Sequence, residues 1–186
     1  ATAFYGCTGL ETVALPDGLT EIAARAFSGC SKLVSVRLPS TLTSIGEYAF
    51  YDCKALADVV VPEKITTLSR SLFAGCTGLK SVTIPAGVKT IDSGAFNKCS
   101  ALESIELPEG LTTLGSQAFM NCSALKSVRI PDGVTAIPNE TFAYCSVLET
   151  VELPSALKTI GNMGFYKNNA LRSISFPETL ETIGTN

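Results

Sequence analysis

Phenylalanine returns every 23 residues along this chain, at Phe4, Phe27, Phe50, Phe73, Phe96, Phe119, Phe142 and Phe165. Three further residue types keep the same period. Proline recurs from Pro16 to Pro177, leucine from Leu10 to Leu171, and all seven cysteines share one phase, from Cys7 to Cys145. A fixed period of this size overrides local guesses about secondary structure, because it marks a unit that cannot bury its own apolar face and must stack on copies of itself. At about 1–2 kcal/mol of backbone entropy per ordered residue, a single unit's few buried apolar side chains cannot hold it folded. Eight units run from Ala1 to Gly184, so residues 1–186 read as one solenoid with no linker, no second domain and no separate caps.

One unit reads L-x-x-V-x-L-P-x-G-L-T-x-I-G-x-x-A-F-x-G-C-x-x. In "LETVALP", Leu10 to Pro16, apolar residues alternate with polar ones, the signature of a short half-buried strand, which proline then ends. "LPDG", Leu15 to Gly18, puts proline at the second position of an expected type I turn. Leu19, Ile22, Ala26 and Phe27 have spacing closer to helical than to alternating, so the segment around Ala-Phe is expected to hold one helical turn or irregular backbone. Glycines such as Gly46 and Gly115 keep any helix short. In-register stacking pairs the strands into a parallel sheet and sets like side chains above and below each other. The expected fold class is thus an α/β repeat solenoid, with a parallel sheet on one side and short helical or irregular segments on the other.

Composition excludes several functions. The net charge is −3, with no basic run to neutralise a phosphate backbone, so nucleic acid is not an expected partner. No apolar run reaches the length of a membrane span. The opening "ATAFYGC" carries no charged segment followed by an apolar one, so any export signal is expected to have been removed or to lie outside this chain.

The motif "LxxVxLPxxLTxIGxxAFxGC", present in nearly every unit, resembles the BspA-like class of leucine-rich repeats. That resemblance implies a curved solenoid with its parallel strands on the concave side, located at the cell surface or secreted, and acting as an adhesin or interaction surface without catalysis. Departures cluster late, where Gly164 replaces the alanine, Asn168 the cysteine and Phe176 an aliphatic residue.

The cysteine column admits three readings. A disulfide framework is disfavoured by the odd count and because equivalent positions one step apart point their Cβ atoms in the same direction. A metal site lacks a C-x-x-C pair and any histidine. The third reading is packing: a small buried group able to hydrogen-bond the backbone, a role the asparagine at position 168 can share. Seven free thiols suit an oxidising compartment poorly, which implies deep burial or a life with little oxygen. All seven are therefore expected to resist labelling until the protein is denatured.

No histidine is present, which removes Cys-His and Ser-His catalysis, so no enzymatic activity and no cofactor are expected. Carboxylate pairs such as Glu103 with Glu106 occupy outward strand positions, in files that alternate in sign: Glu103, Lys126, Glu149 and Arg172 in one, Glu106, Arg129 and Glu152 in the other. Stacking should set each beside an opposite charge and make the face self-neutralising. The family resemblance implies a second role, in which Lys80, Glu103, Glu106, Lys126, Arg129, Glu149, Glu152 and Arg172 form a concave surface for a protein ligand such as an extracellular-matrix or host surface protein. All five tyrosines fall near the Ala-Phe segment and mark a second place for a partner. "NCS" at Asn121 and "NET" at Asn139 match the N-glycosylation pattern. Uncapped ends suggest a different role, a spacer or rod that stacks end to end.

Overall fold

In the computed structural model, which describes residues 2–185, the chain winds into eight stacked coils of 23 residues, and each coil contributes short parallel strands to two files. The first file comprises Thr12–Val13, Ser35–Val36, Asp58–Val60, Ser81–Thr83, Ser127–Arg129 and Thr150–Glu152. Pairing is always with the equivalent residue one coil on, as in Val59 with Val82. The middle residue points inward and its neighbours outward, as the alternation in "LETVALP" requires.

A second file was expected to be helical. The L-T-x-I segment instead forms Glu21–Ile22, Ser44–Ile45, Thr67–Leu68, Thr90–Ile91, Thr113–Leu114, Ala136–Ile137, Thr159–Ile160 and Thr182–Ile183. Among the described residues there is no helix, so the fold is a parallel β-solenoid rather than α/β. The β-branched Thr and Ile that fill this segment favour the pleated, half-buried backbone. Neighbouring coils supply the hydrogen bonds that a lone helical turn would lack.

Irregular backbone around Ala-Phe, the other expectation, is what the chain adopts, and its irregularity is itself periodic. Two residues per coil take positive φ, one just before the alanine (Arg25 at 58°, Tyr48 at 58°, Gln117 at 61°) and one just before the cysteine (Gly29 at 78°, Asp52 at 55°, Lys98 at 63°). Each stands third in a turn closed from first to fourth residue, as in Ala26 N–H to Ala23 C=O and Cys30 N–H to Phe27 C=O. A type II turn demands positive φ at that place. Glycine meets the demand without strain, which explains the G-C step of the motif. Through this segment the N–H groups of the second, fourth and sixth residues of one coil donate to the next coil, for example Arg25 to Glu47, Phe27 to Ala49 and Gly29 to Tyr51 at 2.7–2.9 Å.

Proline acts one residue earlier than expected. The turn that follows the first strand is closed by Leu19 N–H on Pro16 C=O, and likewise in every later coil, so proline opens the turn from its first position. Its missing N–H ends the strand ladder there.

The core lies between the two strand files and the Ala-Phe segment. Its spine is an unbroken stack of eight phenylalanine rings, from Phe4 to Phe165, with centroids 5.2–5.8 Å apart and planes within 2–19° of parallel. Beside it runs the cysteine column. Cys30, Cys53, Cys76, Cys99, Cys122 and Cys145 are free and buried, and each thiol donates to the phenylalanine carbonyl of the preceding coil at 3.0–3.2 Å. That carbonyl already accepts the N–H of the cysteine in its own coil, so the thiol satisfies the second lone pair in a dry interior. Burial first, and a neighbouring thiol second, pushes Cys53 up to about 12; burial alone drives Cys145 there, and Cys76, Cys99 and Cys122 also rise well above the usual thiol range. Cys7 departs from the expectation: it is exposed, because no coil precedes it among the described residues. Asn168 reverses the polarity, its Oδ1 accepting the Cys145 N–H at 3.0 Å.

Candidate interaction surface

The outward face of the first strand file carries every candidate residue of the sequence reading. Arg129 and Glu152 lie within strands, Lys80, Lys126 and Glu149 immediately before them, and Glu103, Glu106 and Arg172 in coils five and eight, whose equivalent residues form no regular strand. All eight side chains are exposed.

Stacking closes only part of the expected charge ladder. Lys126 lies 3.7 Å from Glu103, and Arg129 lies 3.7 Å from Glu152. Arg129 also binds Glu109, a turn residue outside both files, whose hydrogen bond and charge raise the guanidinium above its ordinary value. Among the described residues the charged groups of Lys80, Glu106, Glu149 and Arg172 form no ion pair. Self-neutralisation is therefore incomplete, and the unpaired charges stay available to solvent or to a partner. Exposed pairs of this kind contribute about 0–1 kcal/mol each, so the arrangement shapes the potential of the face far more than its stability.

Two features of the face escaped the sequence reading. Arg37 pairs with Asp17 at 3.4 Å, which repeats the geometry of Arg129 with Glu109: an arginine reaching an acid 20 residues earlier. That offset is legible once the turn residue is counted with the strand. The other feature is apolar. Val34 and Val60, 49% and 66% exposed, stand in the two files that are charged farther along. Beside Val60 a depression of about 560 Å³ opens between coils two and three, floored by Val36 and Val61 and edged by Arg37 and Asp58. Smaller depressions lie between coils four and five and between coils seven and eight. At all three places the strand ladder is interrupted, since its paired strands join coils one with two, three with four and six with seven. The face is thus a series of hydrogen-bonded strand pairs separated by shallow steps.

The tyrosines occupy the Ala-Phe side, as read from sequence. Tyr48 meets Tyr51 edge-on with centroids 5.9 Å apart, and Tyr144 meets Tyr166 at 5.4 Å and 88°. Of the two glycosylation patterns, the one at Asn139 has its Thr141 fully buried, with the hydroxyl donating to the Pro138 carbonyl at 2.8 Å. No helix among the described residues is long and apolar enough to cross a membrane.

A BspA type leucine rich repeat region, found in six copies, matches residues 1–103 and 67–186, which together span the chain. The chain belongs to the BspA-type leucine-rich repeat family. Solved structures agree with this BspA-type architecture. A leucine rich cell surface protein from Faecalibacterium prausnitzii A2-165 superposes with a TM-score of 0.67 and 25% identity, covering 97% of this chain and 64% of that one. A leucine rich repeat protein of T. pallidum gives 0.59 and 25%, over 87% and 78% of the two chains. A leucine-rich repeat protein from Bacteroides ovatus ATCC 8483 gives 0.50 and 27%, over 98% and 70%. This BspA-type chain therefore spans about two thirds of the length of the F. prausnitzii protein. None of the curated proteins matches it.

Proposed function

We propose that this chain is a non-catalytic interaction or adhesion module of the cell surface or of a secreted protein, and that the outward face of its first strand file holds a protein ligand. The observation that carries this reading is the composition of the face: an exposed apolar end at Val34 and Val60, continuous with a charged end at which Lys80, Glu106, Glu149 and Arg172 have no ion partner. Apolar anchors beside unsatisfied charges give affinity and orientation respectively. The cell-surface description of the F. prausnitzii neighbour supports the location. Surface plasmon resonance against purified extracellular-matrix proteins tests the reading. Binding by the native chain, lost when Val60→Asp is combined with Arg172→Glu, is the expected result. Binding that survives the double change, or none across the panel, removes the proposal.

A second reading has its own observation. At one end Phe4 (43% exposed) lacks a ring on its outer side, and at the other Phe176 and Ile183 are 50% and 59% exposed around an open apolar hollow. Both ends offer the surfaces that join one coil to the next inside the molecule, so a second copy can continue the stack head to tail. Light scattering over a concentration series separates the readings: growth with concentration supports the rod, and a constant monomer mass discards it.

A further inference from the structure

On the Ala-Phe side the second and fifth residues of the first three coils form a grid, and this grid has a hole. The second residues are Thr2, Arg25 and Tyr48; the fifth are Tyr5, Ser28 and Tyr51. Tyr5 and Tyr51 project outward, while Ser28 between them is only 4% exposed. The six residues enclose an open cleft of about 660 Å³, within the range of small-ligand sites. Beneath it the phenylalanines rise by 5.2 and then 5.5 Å per coil, so the two tyrosines bracket a gap on the order of 10 Å, two strand spacings. One six-membered ring fits between them.

The chemistry of the walls narrows the ring. Arg25 lies over the Tyr48 ring at 4.9 Å from its centroid, held there by a cation–π contact. Among the described residues no carboxylate pairs with its guanidinium. The site therefore offers a fixed positive charge suited to a planar carboxylate. Around it stand three phenolic hydroxyls and the Ser28 hydroxyl, with aromatic carbon on two sides. Such a wall suits a ligand with apolar ring faces, hydroxyl edges and one carboxylate. We propose that this cleft binds an acidic sugar, a pyranose bearing a carboxylate, with the ring above Ser28 and the carboxylate on Arg25. The site is on a different side of the solenoid from the strand face and does not depend on it.

The test uses methyl glucuronide and methyl glucoside as probes, with benzoate as a carboxylate lacking hydroxyls, in an NMR titration of the intact chain. Arg25→Gln and Ser28→Tyr are the variants. Position 117, equivalent to 25, already holds glutamine at a φ of 61°, and positions 51 and 166, equivalent to 28, hold tyrosine, so both changes are ones the coil accepts. The native chain is expected to bind the glucuronide with a Kd on the order of millimolar, and the glucoside about fivefold more weakly, the upper end for an exposed ion pair. Arg25→Gln should make the two sugars equal, and Ser28→Tyr, which fills the gap, should abolish both. Equal binding of the sugars by the native chain, glucuronide binding that survives Ser28→Tyr, no binding at tens of millimolar, or benzoate binding as tightly as the glucuronide would each overturn the proposal.

Discussion

A free cysteine in each of seven consecutive coils is explained by one carbonyl lone pair. The phenylalanine carbonyl turns inward at the third-position turn, takes one N–H from its own coil, and has a second lone pair facing the next coil's thiol. Two predictions follow from the burial of these groups. With a water-soluble disulfide reagent at neutral pH, one thiol, Cys7, should react in the native protein and the six buried ones only on unfolding; rapid titration of all seven contradicts the thiol column. The second concerns alkaline pH. An unfolded thiol ionises near pH 8.5, whereas Cys53 and Cys145 hold their protons to about 12 in the folded chain. Above pH 8.5 the native state binds more protons than the unfolded one, so stability falls as pH rises. Each such thiol contributes a loss of about 1.4 kcal/mol per pH unit until its folded value is reached. Urea midpoints measured at pH 7, 9 and 10 should fall steeply over the last two, and a flat series refutes the assignment.

Coil geometry explains which glycines matter. In Ile-Gly steps the glycine abuts the previous coil: a Cβ at Gly115 would stand 2.2 Å from the Ser93 nitrogen, and at Gly46 2.4 Å from that of Ala24. Both N–H groups also donate to the preceding coil, Gly115 to Ile91 and Gly46 to Ile22 at 2.7 Å. Where the same position is Pro138 the donor is missing, and the second strand file breaks there between Leu114 and Ile137. Gly115→Ala should destabilise the chain by about 1–3 kcal/mol through overpacking, read as a lowered urea midpoint. The left-handed position predicts the opposite sign. Lys98 is exposed and holds a φ of 63° where other coils use glycine. Lys98→Gly should raise the midpoint, by up to about 1 kcal/mol, because relief of left-handed strain exceeds the entropy glycine adds to the unfolded chain. Neither role was visible from spacing alone. The sequence reading treated glycine as a helix breaker, and the contacts it serves come from a residue 22 positions away.

Across the whole solenoid, each coil touches only the coil before and the coil after it, so a side chain's energetic weight depends on how many neighbours it has. Phe96 is fully buried between Phe73 and Phe119, whereas Phe4 is 43% exposed and stacks only on Phe27. Phe96→Ala should cost about 3–5 kcal/mol, and Phe4→Ala markedly less; equal losses by urea titration contradict nearest-neighbour stacking. Much of this architecture is readable from the chain. The 23-residue period determines register, the inward columns of Val, Leu, Ile, Phe and Cys, and the exposure of all eight charged candidates, because identical apolar spacing in every unit leaves one way to superpose them. What folding alone decides is how the backbone satisfies itself between coils: a second strand in place of a helix, two left-handed residues in each turn segment, the steps in the first file, and which opposite charges meet. Those outcomes depend on donors and acceptors about 22 residues apart, and no local window of sequence contains both members of the pair.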